Sequence, residues 1–225
     1  YGRTDAQIAA FLENAKYDMV GVTCSFTSRW RFVARIAELS KKTRPRAPVA
    51  VGGLFPTSEW EYCLKKSPDV DVILLGEAEH SFGELVERLD RGQTLAQACS
   101  HIDGAAWREE NRACCRPKEK YIDNLDALPF PAWHLVNLGE YFKVQRRIFE
   151  LAPPCLPILS SRSCPNRCTF CNMYITHGRR WRMRSAENVL AEIEYLTARF
   201  GVRRFYFVDD NTVVYISIGT HEIYK

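Results

Sequence analysis

The 225-residue chain carries 31 Lys and Arg against 27 Asp and Glu, a formal net charge of +4, and is 46% hydrophobic and 26% charged. That balance belongs to an ordinary globular protein and excludes disordered, collagenous and membrane classes, while the charge is too mild and dispersed to make nucleic acid or anionic lipid the principal partner. No stretch approaches the roughly 18 apolar residues of a membrane span, and Tyr1-Gly2-Arg3-Thr4-Asp5 lacks the basic-then-apolar form of a signal peptide, so a cytoplasmic location is expected.

Three short apolar, β-branched runs open the chain: Asp18-Met-Val-Gly-Val-Thr-Cys, Ala47-Pro-Val-Ala-Val-Gly-Gly and Asp69-Val-Asp-Val-Ile-Leu-Leu-Gly-Glu. Each ends in small or polar residues, the form of a buried parallel strand. Helix-period segments lie between and around them, marked by Ile8, Phe11 and Leu12, by Phe32, Val33, Ile36 and Leu39, by Trp60 and Leu64, and by Phe82, Leu85, Val86 and Leu89. Strands alternating with helices predict a Rossmann-like, doubly wound parallel sheet. A polar Glu109-Glu-Asn-Arg turn between two short strands reads as a hairpin that closes a first domain, residues 1–116.

Residues 117–155 form a Pro-rich connector, in which Leu128-Pro-Phe-Pro-Ala-Trp can continue neither a helix nor a central strand. A second domain, 156–225, opens with Pro157-Ile-Leu-Ser-Ser as a strand. A helix follows a Cys-rich loop: Ser185 caps it, Glu187 sits in its first turn, Val189, Leu190, Ile193, Leu196 and Phe200 form its apolar face, and Gly201 stops it. Val202-Arg-Arg-Phe-Tyr-Phe-Val is the next strand, ending in Asp209-Asp210-Asn211, where α/β proteins place their sites. At about 30 residues per βα unit only about two units fit after residue 156, so the chain reads as truncated at both ends, with an incomplete barrel.

Nine Cys, at 24, 63, 99, 114, 115, 155, 164, 168 and 171, are unevenly placed, three of them within eight positions. Metal binding explains that better than disulfides in a cytosolic chain. Cys164-Pro-Asn-Arg-Cys168-Thr-Phe-Cys171 puts three soft thiolates in one short loop after a strand, enough for three corners of an iron-sulfur cluster whose fourth iron stays open. A structural zinc is the alternative and needs a fourth ligand, for which His177 is the nearest candidate. Cys24, Cys63, Cys99 and Cys155 read as buried small hydrophobes, and Cys114-Cys115 as a hairpin pair with one side chain in and one out.

With Phe170 just before the last Cys, this loop resembles the signature of radical S-adenosylmethionine (SAM) enzymes. Leu125-Asp-Ala-Leu-Pro-Phe-Pro-Ala-Trp, Val51-Gly-Gly and Gly76-Glu-Ala-Glu resemble the subfamily with an N-terminal cobalamin (B12)-binding domain, which contains methylases and anaerobic cyclases. The resemblance implies a [4Fe-4S] cluster on Cys164, Cys168 and Cys171 beside Phe170, with SAM on the open iron, reductive cleavage of SAM to a 5′-deoxyadenosyl radical, and methyl transfer or a related radical reaction. It implies that Asp209, Asp210 and Asn211 face the SAM amino group, that Arg182, among Arg179, Arg180 and Arg184, reaches a carboxylate, and that Thr23, Ser25, Gly52, Gly53, Thr57, Gly76 and Glu77 line cobalamin, with no axial His from this chain. A small-molecule substrate and a low-potential electron donor of flavodoxin or ferredoxin type are implied as partners. The competing readings are a non-catalytic remnant or cofactor-binding module, and a zinc-stabilised structural protein.

Overall fold

A computed structural model describes residues 3–110, 112–148, 154–211, 216–218 and 221–223. Its described residues fall into two compact units: residues 1–121 with 175–178, and residues 122–174 with 179–225. The Pro-rich stretch is therefore not a separate body, since most of it packs within the second unit; Pro153 and Asn111 lie outside the described residues.

In the first unit the elements run α1 (Asp5–Asn14), β1 (Val20–Thr23), α2 (Trp30–Thr43), β2 (Val49–Gly52), α3 (Leu54–Ser58), α4 (Trp60–Lys66), β3 (Val72–Leu74), α5 (Glu79–Asp90), α6 (Leu95–Cys99), β4 (Ala105–Glu109) and β5 (Arg112–Arg116). One five-stranded sheet takes them in sequence order. β1, β2 and β3 are parallel, with Val22 opposite Val51 and Val51 opposite Ile73, and β4 and β5 add antiparallel at the β3 edge as the expected hairpin. The central strands are apolar throughout because both faces are covered. Val49, Val51 and Ile73 meet Val33, Ala37 and Leu64 on one face, while Ala50, Val72 and Leu74 meet Leu85, Ala98 and Ile102 on the other.

That double covering corrects the one-in, one-out reading of the hairpin pair: Cys115 packs on the first core and Cys114 on the second. The helix faces also differ from the sequence pattern. On α2 the buried residues are Trp30, Val33, Ala37, Leu39 and Ser40, with Trp30 lying against Phe55; Val33 and Leu39 are buried as expected, whereas Phe32 is 61% exposed. Cys24, Cys63, Cys99 and Cys155 are buried as expected. Burial pushes the Cys63 and Cys99 thiols up to about 12.

The second unit runs α7 (Leu138–Ile148), β6 (Cys155–Ile158), β7 (Ser161–Arg162), α8 (Tyr174–His177, counted with the first unit from Ile175), β8 (Arg182–Met183), α9 (Ala186–Phe200), β9 (Arg204–Phe207), β10 (Ile216–Ile218) and β11 (His221–Ile223). β6 and β9 pair in parallel, Ile158 opposite Phe207, and α9 crosses between them, which is the βαβ unit expected. Ser185 accepts from the Asn188 N–H at the N-cap and Gly201 closes the helix in the left-handed region. Leu156, Ile158, Val189, Leu196 and Val202 form its core with Leu138. Leu190 stands on the exposed side of α9, and the buried stripe takes Glu192 in its place. After Asn211 the chain forms an antiparallel β10–β11 hairpin; Thr212 to Tyr215 lie outside the described residues.

Candidate functional site

In the second unit the three-Cys loop leaves the sheet at β7, which pairs antiparallel with β8 and so closes the loop at its base. Ser163, buried and immediately before Cys164, holds φ at 72°, a left-handed conformation that a non-glycine residue keeps only where its surroundings enforce it. Cys164 and Cys171 are half-buried, Cys168 is exposed, and the Cys171 N–H donates to the Cys168 carbonyl at 3.1 Å, making a tight turn between the last two thiols. Phe170 projects from that turn, 90% exposed. Three soft thiols in one short loop are a donor set that fits an iron-sulfur cluster, whose sulfur ligands sit on separate irons.

The end of β9 organises the entry to this loop. Asp209 accepts from the Ser160 N–H at 2.7 Å and the Ser161 N–H at 3.1 Å, and the Ser160 hydroxyl donates to its other oxygen. Asn211 accepts through its backbone carbonyl from the Ser161 hydroxyl at 3.3 Å and the Trp181 indole at 3.2 Å. Its side-chain amide donates toward Cys164 Sγ at 3.5 Å. Asp210 is exposed beside them. Asp209 and Asn211 thus reach the entry of the Cys loop, where the Asp209 carboxylate is engaged by the chain's own amides.

The arginines divide. Arg182 is buried and gives its guanidinium to the backbone carbonyls of Ile122 at 2.7 Å and Arg180 at 3.1 Å. Arg184 is paired with buried Glu192. Both therefore brace the unit, whereas Arg179 stacks 3.9 Å over the Tyr174 ring and Arg180 pairs with Asp123 at the surface. The sequence pattern gave no warning of a cavity of about 260 Å³ in this unit, lined by Pro129, Phe130, Trp133, Pro157, Leu159 and Arg184. Its only local signal is the Leu-Pro-Phe-Pro-Ala-Trp run, which cannot pack as regular structure.

In the first unit, Thr23 and Ser25 are exposed at the end of β1, and Gly52 and Gly53 follow β2. Gly53 has φ 104°, and a Cβ there would lie 2.6 Å from the Cys24 carbonyl oxygen, so this turn requires glycine. Thr57 is buried: its hydroxyl donates to the Gly53 carbonyl at 2.7 Å and accepts from the Gly76 N–H at 3.1 Å, tying the β2 and β3 loops together. Glu77 is also buried, with its carboxylate 3.2 Å from His177 Nδ1. His177 belongs to the Ile175–Gly178 segment, which packs with the first unit although it follows the Cys loop in sequence, and the Thr176 carbonyl lies against Gly76. Within the first unit His177 therefore faces a carboxylate.

The family model of the B12-binding domain matches residues 2–86, and that of the radical SAM superfamily matches residues 158–222. The chain belongs to the radical SAM superfamily, in the group with an N-terminal B12-binding domain. An uncharacterized methyltransferase of Pyrococcus horikoshii is 30% identical over 92% of this radical SAM chain and 42% of its own length. Cytidylyl-2-hydroxyethylphosphonate methyltransferase of Streptomyces wedmorensis is 26% identical over 94% of the chain and 43% of its own, and an anaerobic magnesium-protoporphyrin IX monomethyl ester cyclase of Synechocystis is 28% identical over 84% and 35%. The chain thus spans about two fifths of the length of these relatives. Among solved structures, the radical SAM methyltransferase TsrM of Kitasatospora setae, determined with cobalamin and a [4Fe-4S] cluster bound, superposes with a TM-score of 0.65 at 18% identity over 92% of this chain and 40% of its own. It supports the α/β fold of a B12-type sheet followed by the start of a radical SAM barrel. No helix among the described residues is long and apolar enough to cross a membrane.

Proposed function

We propose that this chain is the cofactor-carrying part of a cobalamin-dependent radical SAM enzyme that transfers a methyl group, or carries out a related radical reaction, on a small molecule. The observation that carries the reading is the Cys164, Cys168, Cys171 loop, held open at the ends of β6 and β9 by Asp209 and Ser160, downstream of a B12-type sheet. When bound, a [4Fe-4S] cluster held by Cys164, Cys168 and Cys171 would supply the electron for reductive cleavage of SAM, and cobalamin would supply a transferable methyl group.

The chain's own residues do the rest. Cys164, Cys168 and Cys171 would anchor the cluster; exposed Phe170 projects from the turn between the last two, and exposed Asp210 offers a carboxylate to the SAM ammonium. Thr23, Ser25 and Gly52 present the strand-end surface toward cobalamin, while Gly53, Thr57 and Gly76 hold that surface in shape. Glu77 orients His177. Arg182 supports the base of the loop through the Ile122 carbonyl. A flavodoxin- or ferredoxin-type protein donates the electron, the substrate is a small molecule and not nucleic acid, and the setting is the cytoplasm.

The test is anaerobic reconstitution with iron and sulfide, followed by reduced-state EPR with and without SAM and a Cys171→Ala control. A [4Fe-4S]⁺ signal that shifts on SAM addition and vanishes in the control supports the reading. Stoichiometric zinc, or a cluster whose signal ignores SAM, overturns it. Hydroxocobalamin binding, followed by visible absorbance during gel filtration, tests the first unit independently.

A further inference from the structure

The Asn211 side chain has a specific partner that neither its place at a strand end nor the SAM-facing expectation accounts for: its Nδ2 lies 3.5 Å from Cys164 Sγ. Sulfur accepts hydrogen bonds at longer range than oxygen, and the remainder of the residue is fixed independently. The Asn211 carbonyl is held by the Ser161 hydroxyl and by the Trp181 indole N–H, so two donors from the β7 and β8 side clamp the backbone and leave the amide aimed at the thiol. Cys164 itself follows Ser163, whose left-handed backbone fixes the direction in which the chain enters the loop. The backbone at both ends of the N–H···S contact is therefore set by neighbouring structure.

We propose that Asn211 is a positioning and tuning residue that donates an N–H···S hydrogen bond to the Cys164 thiolate and thereby raises the reduction potential of the iron-sulfur cluster. The inference rests on the cluster reading above. An N–H donor withdraws electron density from a ligating thiolate, which favours the state carrying one more electron; hydrogen bonds to ligand sulfurs are one of the levers that set such potentials. Asn suits the task because its amide supplies the donor without adding a full charge beside an already anionic group. A strongly reducing cluster is needed to cleave a sulfonium, so one donor on one sulfur places the potential within reach of a biological donor without making the cluster a poor reductant.

The experiment is an anaerobic redox titration of the reconstituted chain, followed by EPR of the reduced cluster, for the parent and for Asn211→Leu, Asn211→Ala and Asn211→Gln, with iron and sulfide content measured on each sample. Leu and Ala remove the donor while leaving the backbone carbonyl to Ser161 and Trp181; Gln keeps an amide. The expected result is a more negative midpoint in Leu and Ala, with Gln nearer the parent. Loss of the cluster from Leu and Ala but not from Gln also supports the inference, since only the donor separates them. A midpoint equal to the parent's at equal cluster content overturns it, as does loss of the cluster from all three variants. A parent chain that takes up no cluster overturns the function proposed above and this inference with it, an outcome distinct from an unchanged potential.

Discussion

Arg184 and Glu192 form a buried ion pair, Nη1 to Oε2 at 2.5 Å, with their side chains 11% and 2% exposed. Asn188 Oδ1 and the Leu159 carbonyl take further guanidinium hydrogens, and the Trp133 indole points at the other Glu192 oxygen. The pair locks the start of α9 to the end of β6 from within the apolar face of the helix. Removing one partner leaves the other charge buried and alone. Glu192→Ala is therefore expected to destabilise the chain by about 3–5 kcal/mol, and Glu192→Gln by less because an amide oxygen still accepts. Replacing both, Arg184→Met with Glu192→Leu, is expected to recover much of the loss; urea unfolding of the three variants checks the ordering.

The buried thiols set a limit at high pH. Cys63 and Cys99 hold their protons to about 12 because burial penalises the thiolate, against an ordinary value of 9.0. Above pH 9 the unfolded chain releases these protons while the folded chain keeps them, so the unfolded state binds fewer protons and stability falls as pH rises. The contribution is complete below pH 9 and is lost progressively up to about 12. Cys63→Ala and Cys99→Ala chains are expected to show a shallower decline of Tm between pH 9 and 11. In the native, metal-free chain at pH 8, iodoacetamide is expected to modify exposed Cys168 and to spare Cys63 and Cys99, as peptide mass spectrometry will show.

Legibility in the sequence followed how local each constraint is. The ends of α9 could be read because Ser185 and Gly201 act on their own neighbours, and the central parallel strands could be read because burial on both faces leaves no polar alternation. Spacing alone exposed the three-Cys loop. What the sequence concealed are pairings between distant positions: Asp209 with Ser160, Arg182 with the Ile122 carbonyl, Thr57 with Gly76, Glu77 with His177. Each residue type is polar at a strand or loop end, which suits a ligand contact as well as an internal one. Glu192 did carry a signal, since a carboxylate three residues after Val189 and four before Leu196 lies on the buried stripe and must find a cation there.

The two adjacent glycines after β2 separate a folding role from a binding role. A Cβ at Gly53 would lie 2.6 Å from the Cys24 carbonyl oxygen at φ 104°, whereas one at Gly52 meets only the Leu74 carbonyl oxygen at 3.5 Å, an ordinary contact. Gly53→Ala is expected to cost about 1–3 kcal/mol through backbone strain. Gly52→Ala is expected to leave Tm within about a degree of the parent and to weaken hydroxocobalamin binding if the cofactor approaches this backbone. Thermal unfolding and a visible-absorbance titration on the same two variants give the comparison, and an unaltered affinity in Gly52→Ala would remove Gly52 from the cofactor surface.

Asp209 makes the last and sharpest distinction, between holding a ligand and holding the loop that holds it. Both Ser160 and Ser161 amides end on its carboxylate, so Asp209→Ala strands two donors at the point where the chain turns from β6 toward the cysteines. Hydrogen bonds to a charged acceptor are worth about 1.5–3 kcal/mol, and that is the expected loss in urea unfolding. Asp209→Asn keeps one acceptor oxygen and is expected to lie between Ala and the parent. Because the defect sits at the base of the Cys loop, reconstituted iron content should fall in the same order. If Asp209 instead served only to meet the SAM ammonium, both substitutions would leave iron content and unfolding unchanged and would weaken only the EPR response to SAM, and the two patterns cannot be confused.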